Sequence, residues 1–223
     1  NYGGVITFIS KDAVPDETSI NSGELVTGRV LKVEICNSVN EHYQVIYNVH
    51  NFELQRGGIQ TLCNNVDCDI RKGKENPYHY NIWLLGDFNM SPTPGQLFEY
   101  GQPKVCSEIS PSSSNSANPL QTIFSRLTEV VSHTPTRYNT ERDAGSILDR
   151  IFCNTPPQAL CRCKVAHCVE QEPKNLYTSG ISDHSPTTAT LSFVAALPTG
   201  EGPIAPEIFK HPMYKHFLEV ISW

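Results

Sequence analysis

The sequence predicts a mixed α/β fold, short strands in two packed sheets with helices outside. Three observations lead there. Most apolar residues fall in short runs that alternate or are β-branched, the pattern of strands. Two stretches instead repeat apolar residues at spacings of three and four, the period of a helix face. The 223 residues are also 39% hydrophobic and 9% aromatic, enough to bury a sizeable core, which excludes a wholly disordered chain.

The elements follow in order. Gly4 to Ser10 is apolar and β-branched and reads as the first strand. Val30 to Cys36 alternates, with Leu31, Val33 and Ile35 on one face and Lys32 and Glu34 on the other; Tyr43, Val45, Tyr47 and Val49 alternate likewise. Arg56 to Lys72 carries Ile59, Leu62, Val66 and Ile70 at helical spacing. Ile82-Trp83-Leu84-Leu85, bounded by Gly86, suits a strand buried on both faces. Ser107 to Asn118 is serine-rich and of low complexity; it reads as a surface loop in preference to a domain boundary, because the strands on either side are needed for one core. Pro119 opens a second helix with Leu120, Ile123, Phe124, Leu127 and Val130-Val131 on one face, and proline fits its first turn. Ile147-Leu148 and Ile151-Phe152 flank Asp149 in a further strand, and Thr187 to Val194 is the last β-branched run. Pro198 to Pro206 reads as a linker, and Ile208 to Ile221 as a third helix or a connector to a further domain. The domain is thus expected over 1–197, with a linker and helical segment over 198–223.

Charge and composition exclude some functions. With 17 basic against 23 acidic residues the net charge is -6, which argues against a passive nucleic-acid coat but not against an enzyme that holds nucleic acid locally. No apolar run approaches the roughly 20 residues that cross a bilayer, so no membrane partner is expected. No lysine-flanked apolar stretch at the start reads as a signal peptide, which points to an intracellular protein. The chain starts at Asn1 and enters an apolar run at Val5, so it reads as a fragment of a longer chain. Its 8 cysteines are too sparse for a disulfide scaffold. The tightest group, Cys161, Cys163, His167 and Cys168, offers one half of a zinc site. It lies on the alternating stretch Leu160 to Val169, which turns Cys161 and Cys163 to one face and Cys168 to the other; structural thiols are the expectation.

Chemistry concentrates at strand ends. Gly86-Asp87-Phe88-Asn89 follows the buried run directly. Asp87 supplies an anionic acceptor and Asn89 a neutral donor and acceptor, a pair suited to holding a water and a phosphoryl oxygen near a hard cation. The plainer alternative is an Asx turn closing the strand. Ser182-Asp183-His184-Ser185-Pro186 precedes the last strand, where irregular backbone can aim both Asp183 and His184 into a cleft; a protonated histidine stabilises charge on a phosphate oxygen. Leu148-Asp149-Arg150 puts charge inside a core-like strand, which is costly unless paired, and Asp149 is a natural orienting partner for a histidine. Tyr47-Asn48-Val49-His50-Asn51 is a weaker fourth segment.

In this order and at these separations, the segments together resemble the endonuclease/exonuclease/phosphatase superfamily, over Gly3 to about Val194. The resemblance implies a four-layered α-β-β-α sandwich of two mixed sheets, missing its first strand or strands. It implies hydrolysis of phosphodiesters or phosphomonoesters with Mg²⁺ or Mn²⁺. By the motif match, Asp87 positions or deprotonates the water, Asn89 holds water and phosphate, and His184 binds phosphate, oriented by Asp149. Asp87 and Asp183 are the carboxylates on the metal side; His50, Asn51 and Asn48 are phosphate contacts.

The resemblance also implies an early asparagine and a metal-binding glutamate, yet no such pair precedes Gly3, and Glu17, Glu24 and Glu34 come too late. These 223 residues are therefore expected to be weak or inactive on plasmid DNA with Mg²⁺, and a chain extended upstream to cut it. Met90-Ser91-Pro92-Thr93-Pro94 after the central motif does not look like the inositol-phosphate phosphatases. The sequence is most similar to the endonuclease domains of non-LTR retrotransposons and to apurinic/apyrimidinic endonuclease-like proteins. That similarity implies DNA as partner, in preference to RNA, and the nucleus as a candidate compartment. The alternatives are an inactive nuclease fold serving as a binding module, and a phosphatase or RNA deadenylase of the same superfamily.

Overall fold

A computed structural model of the chain describes residues 4–11, 14, 17–37, 42–75, 80–90, 97–99, 105–106, 119–156 and 163–193. The chain divides into two compact units, Asn1–Ser192 and Phe193–Trp223, and the elements named below belong to the first, save the last residue of the final strand. The expected loop at 107–118, the linker at 198–206, the helix at 208–221 and Cys161 lie outside the described residues.

The fold is mixed α/β, built on one large mixed sheet. Six strands, β1 (Thr18–Val26), β2 (Val30–Asn37), β3 (His42–His50), β4 (Tyr80–Asp87), β10 (Asp149–Cys153) and β7 (Thr128–Glu129), lie side by side in that order. β3 and β4 are parallel and the other neighbours antiparallel. A parallel pair needs a long crossover, and the helix α1 (Arg56–Glu75) supplies it. Four short strands, β6 (Val105–Cys106), β5 (Leu97–Glu99), β9 (Ala144–Ser146) and β8 (Arg137–Asn139), form a second, antiparallel sheet. β11 (Cys163–Val169) and β12 (Thr187–Phe193) pair with each other. Two short helices, α2 (Pro119–Phe124) and α3 (Pro173–Thr178), complete the described elements.

Helical and strand periods meet in the main core. Leu62, Cys63 and Val66 of α1 and Leu120 and Ile123 of α2 cover Val45, Tyr47 and Val49 of β3, Ile82 and Leu84 of β4 and Phe152 of β10. The opposite face of the large sheet carries Trp83, Leu85, Ile151 and Cys153, against which Val130 and Ala189 of β12 pack. The helix face also holds a buried charge. Asp69 of α1, 1% exposed, is reached by Lys32 and Lys72, each at 2.9 Å, and accepts from the hydroxyls of Tyr47 and Tyr80. Lys32 therefore sits on the core side of β2, since its ammonium has a buried anion to meet.

Three expectations are corrected. Gly4 to Ser10 forms no strand: Ile6 and Phe8 are exposed, and this run has no ladder partner among the described residues. β-Propensity alone does not make a strand where no edge receives it. The second helix stops at Phe124 instead of reaching Val131. Thr128 and Glu129 are drawn into β7 by pairing with Cys153 and Phe152, which sends Val130 to the other core and leaves Val131 exposed. The strand expected from Ile147 begins at Asp149, because Ala144–Ser146 belongs to the second sheet and Ile147-Leu148 carries the chain from one sheet to the other. Cys36, Cys63, Cys68, Cys153 and Cys168 are free thiols.

Candidate active site

Three turns converge at one end of the large sheet. Asp87 is the last residue of β4, opposite Asp149 across the antiparallel ladder and opposite His50 across the parallel one. Directly opposed residues share a sheet face, so all three side chains leave on the face away from α1 and α2. The turn that follows depends on Gly86. Its φ is +133°, and a Cβ there would stand 2.0 Å from the Val49 carbonyl oxygen, so glycine alone fits between the strands. Phe88 then turns into the core, edge-on to Phe124 and Phe152.

The Asp87 carboxylate organises its own turn. Oδ1 accepts from the Asn89 backbone N–H at 2.8 Å, and Oδ2 from Asn89 Nδ2 at 3.2 Å. Asn89 has a φ of +49°, a conformation that asparagine tolerates better than most residues. The motif is therefore an Asx turn, and the same turn presents Asp87 to the cleft. Asn51, just after β3, braces it, donating its backbone N–H to the Asp87 carbonyl and its Nδ2 to that of Phe88, at 2.8 and 2.6 Å.

His184 reaches this corner from the segment before β12. Its Nδ1 lies 2.9 Å from Asp149 Oδ2 and its Nε2 lies 3.9 Å from Asp87 Oδ2. A carboxylate accepts only, so Nδ1 carries the proton that Asp149 receives. Burial, the largest single influence, disfavours the imidazolium; the hydrogen bond and charge of Asp149, with Asp87 and Asp183 nearby, outweigh it, and the His184 pKa is raised. The separation from Asp87 is too long for a direct hydrogen bond. An oxygen to one side of that line can bond both groups.

Two residues that the motifs did not single out hold this arrangement. Thr136 is fully buried, and its hydroxyl accepts the backbone N–H groups of both Leu148 and Asp149 at 3.0 Å, fixing the corner where the chain changes sheets. Its backbone also pairs with Ser146 and Ser185. Arg137, next to it in β8, forms an antiparallel bridge with His184, and its Nε donates to Asp183 Oδ2 at 2.9 Å. A β-branched hydroxyl followed by a cation and an aromatic, Thr136-Arg137-Tyr138, was the available signal.

The structure thus brings Asp87, Asn89, Asp149, Asp183 and His184 together. His50 shares the face of Asp87 and stacks on Phe52. Asn48 stands apart, with Nδ2 donating to the Ile6 carbonyl at 2.9 Å and reaching Thr7 Oγ1 at 3.3 Å. Arg150, adjacent to Asp149, points the other way. It makes two 2.7 Å bonds to Glu129 and lies over the rings of Phe124 and Phe152, leaving Asp149 to His184.

No protein-family model and no curated protein matches the sequence. Among solved structures the chain is similar to the endonuclease domain of TRAS1, a telomere-specific non-LTR retrotransposon, at 16% identity and a TM-score of 0.47, covering 80% of this chain and 69% of that one. It is similar to the 3′ phosphatase NExo from Neisseria bound to product DNA hairpin, at 19% identity and a TM-score of 0.45, covering 80% and 72%. It is also similar to an AP endonuclease from Archaeoglobus fulgidus, at 17% identity and a TM-score of 0.43, covering 74% of this chain and 65% of that one, which is under two thirds of its length.

Proposed function

We propose that this chain is a phosphoester hydrolase of the endonuclease/exonuclease/phosphatase kind, acting on nucleic acid, and that it is a DNA endonuclease domain of a retroelement-like protein. The observation that carries the reading is the imidazole of His184, hydrogen-bonded to Asp149 on one side and facing Asp87 on the other.

The residues divide the work. Asp149 holds the His184 ring and favours its charged form, so that Nε2–H donates to a phosphoryl oxygen as negative charge grows there. Asp87, fixed by Asn89, orients a water and takes its proton as the water oxygen bonds to phosphorus. The bond from phosphorus to the leaving oxygen breaks in line with the attack, and that oxygen takes a proton from solvent. Asn89 and His50 contact water or phosphate beside Asp87, while Asn51 holds the turn that carries Asp87 and Asn89. Asn48 Nδ2 donates to the Ile6 carbonyl and reaches Thr7 Oγ1, so a phosphate contact by Asn48 would compete with those bonds.

The resemblance implies Mg²⁺ or Mn²⁺, for which the cleft offers Asp87 and Asp183. The described residues contain no group of three His, Cys, Asp or Glu side chains placed to hold an ion, and Asp183 is already paired with Arg137. The described residues do not by themselves fit a metal site.

Slow turnover is expected from such a site, so an activated diester, bis(4-nitrophenyl) phosphate, is the substrate of choice beside supercoiled plasmid. Hydrolysis by the chain that His184→Ala and Asp87→Ala each reduce by about 100-fold or more is the expected result. Binding of plasmid without hydrolysis of either substrate would favour the binding module. Release of phosphate from a monoester or shortening of poly(A), with plasmid left intact, would move the substrate class to phosphatase or deadenylase.

A further inference from the structure

We propose that Arg137 is a phosphate-binding residue of this cleft, its guanidinium tethered by Asp183 beside the His184 imidazole; this rests on the reading of the cleft as a phosphoester site. Arg137 and His184 are opposed across an antiparallel bridge, so their side chains leave the backbone on the same face as near neighbours. Two more backbone bonds pin that bridge, from Tyr138 N–H to the Asp183 carbonyl and from Ser185 N–H to the Thr136 carbonyl, both at 2.8 Å. The direction of Arg137 is therefore set by the sheet and not by a flexible loop.

One edge of the guanidinium is occupied and the other is open. Nε donates to Asp183 Oδ2 at 2.9 Å, and the two terminal nitrogens have no partner among the described residues. Asp183 and Arg137 are 40% and 36% exposed, so the pair stands at the cleft surface, where a ligand can meet it. A guanidinium anchored through Nε keeps its terminal N–H groups for two oxygens of one phosphate. Together with the Nε2–H of His184 this makes a cationic clamp from two neighbouring strand ends. The tether also gives Asp183 a partner that needs no metal, which accounts for its side chain meeting a cation in a cleft whose described donors fall short of an ion site. The chemical class recognised is a phosphate or phosphodiester group.

The test is a titration of the ¹⁵N-labelled chain with inorganic phosphate in EDTA, following the Arg137 guanidinium and His184 ring resonances by NMR. Both are expected to move with a single dissociation constant. Arg137→Gln is expected to weaken phosphate binding about tenfold or more, because it removes charge-assisted bonds, and Arg137→Lys to recover part of the loss. Asp183→Asn, which loosens the tether, is expected to weaken it less than Arg137→Gln. A His184 response that saturates while the Arg137 resonance stays still, with Arg137→Gln binding as the wild type does, overturns the inference and leaves the cleft reading standing. If neither resonance responds, the cleft does not take phosphate, and both fall. Should a variant lose its folded amide spectrum, the wild-type guanidinium resonance decides alone.

Discussion

Nδ1 of His184 donates to Asp149 Oδ2 at 2.9 Å, and this bond joins the segment before β12 to the first residue of β10. The imidazole is thus oriented by a residue of the large sheet, while its other nitrogen is left to face Asp87.

The first prediction concerns pH. The His184 pKa is raised in the folded chain, so the stability it adds is fully present below the unfolded histidine value of about 6.5 and is lost as pH rises through the folded value. Phosphate binding should fade over the same rise. Asp149→Asn should lower the His184 pKa, because it removes the carboxylate that favours the imidazolium, as read from its ring resonances by NMR titration. An unchanged midpoint in that variant would show that Asp149 does not sustain the charge.

A second prediction tests the backbone under Asp87. Gly86→Ala would force a Cβ into the Val49 carbonyl and strain a positive φ, so it should destabilise the chain by about 2–4 kcal/mol in urea unfolding. Because β3 and β4 would part at that point, the relation of His50 to Asp87 should be disturbed as well. Wild-type stability in the alanine variant would contradict the close approach.

Thr136 gives a third. Thr136→Val keeps the shape but leaves the N–H groups of Leu148 and Asp149 without their acceptor, which should cost about 2 kcal/mol. Thr136→Ser keeps the hydroxyl and should cost less. If the hydroxyl also sets the position of Asp149, amide resonances from Leu148 to Arg150 will shift in the valine variant and much less in the serine one.

The buried anion gives the fourth. Burial opposes the ionised form of Asp69 most strongly, but hydrogen bonds from Lys32, Tyr47 and Lys72 outweigh it, and its pKa is lowered. A depressed carboxylate stabilises the fold above its unfolded value of about 3.9, and that contribution is lost as pH falls through the folded value. Asp69→Ala leaves Lys32 facing the core without a counter-charge and should cost about 3–5 kcal/mol at neutral pH. Denaturant unfolding from pH 2 to 7 should show the wild type gaining stability over the acid limb and the variant gaining less.

How far these features could be read from residues alone depends on what fixes them. β2, β3, β4 and α1 follow from periodicity, because one face of each is buried and local pattern and tertiary packing agree. β1 escaped notice, since Thr18–Val26 is mostly exposed at the edge of the sheet and owes its form to pairing with β2. Val5 to Ile9 misled in the opposite sense, with strand-like composition and no ladder among the described residues. Asp87, Asn89, Asp149, Asp183 and His184 stood out because polar residues beside apolar strands are unusual. Thr136 and Arg137 did not, for their meaning lies in partners 12 to 46 residues away, and no local spacing records such a pairing.

β10 carries opposite charges on adjacent residues, with Asp149 turned to His184 on one side of the sheet and Arg150 to Glu129 on the other. Side chains alternate strictly along a strand, so displacing this one by a single position exchanges the two sides. A shift one way sets the Arg150 guanidinium against the imidazole of His184, and a shift the other way sets the Asp149 carboxylate against Glu129. The strand guards its own reading frame, because a chain misthreaded by one position in either direction brings like charges together on one side of the sheet or the other.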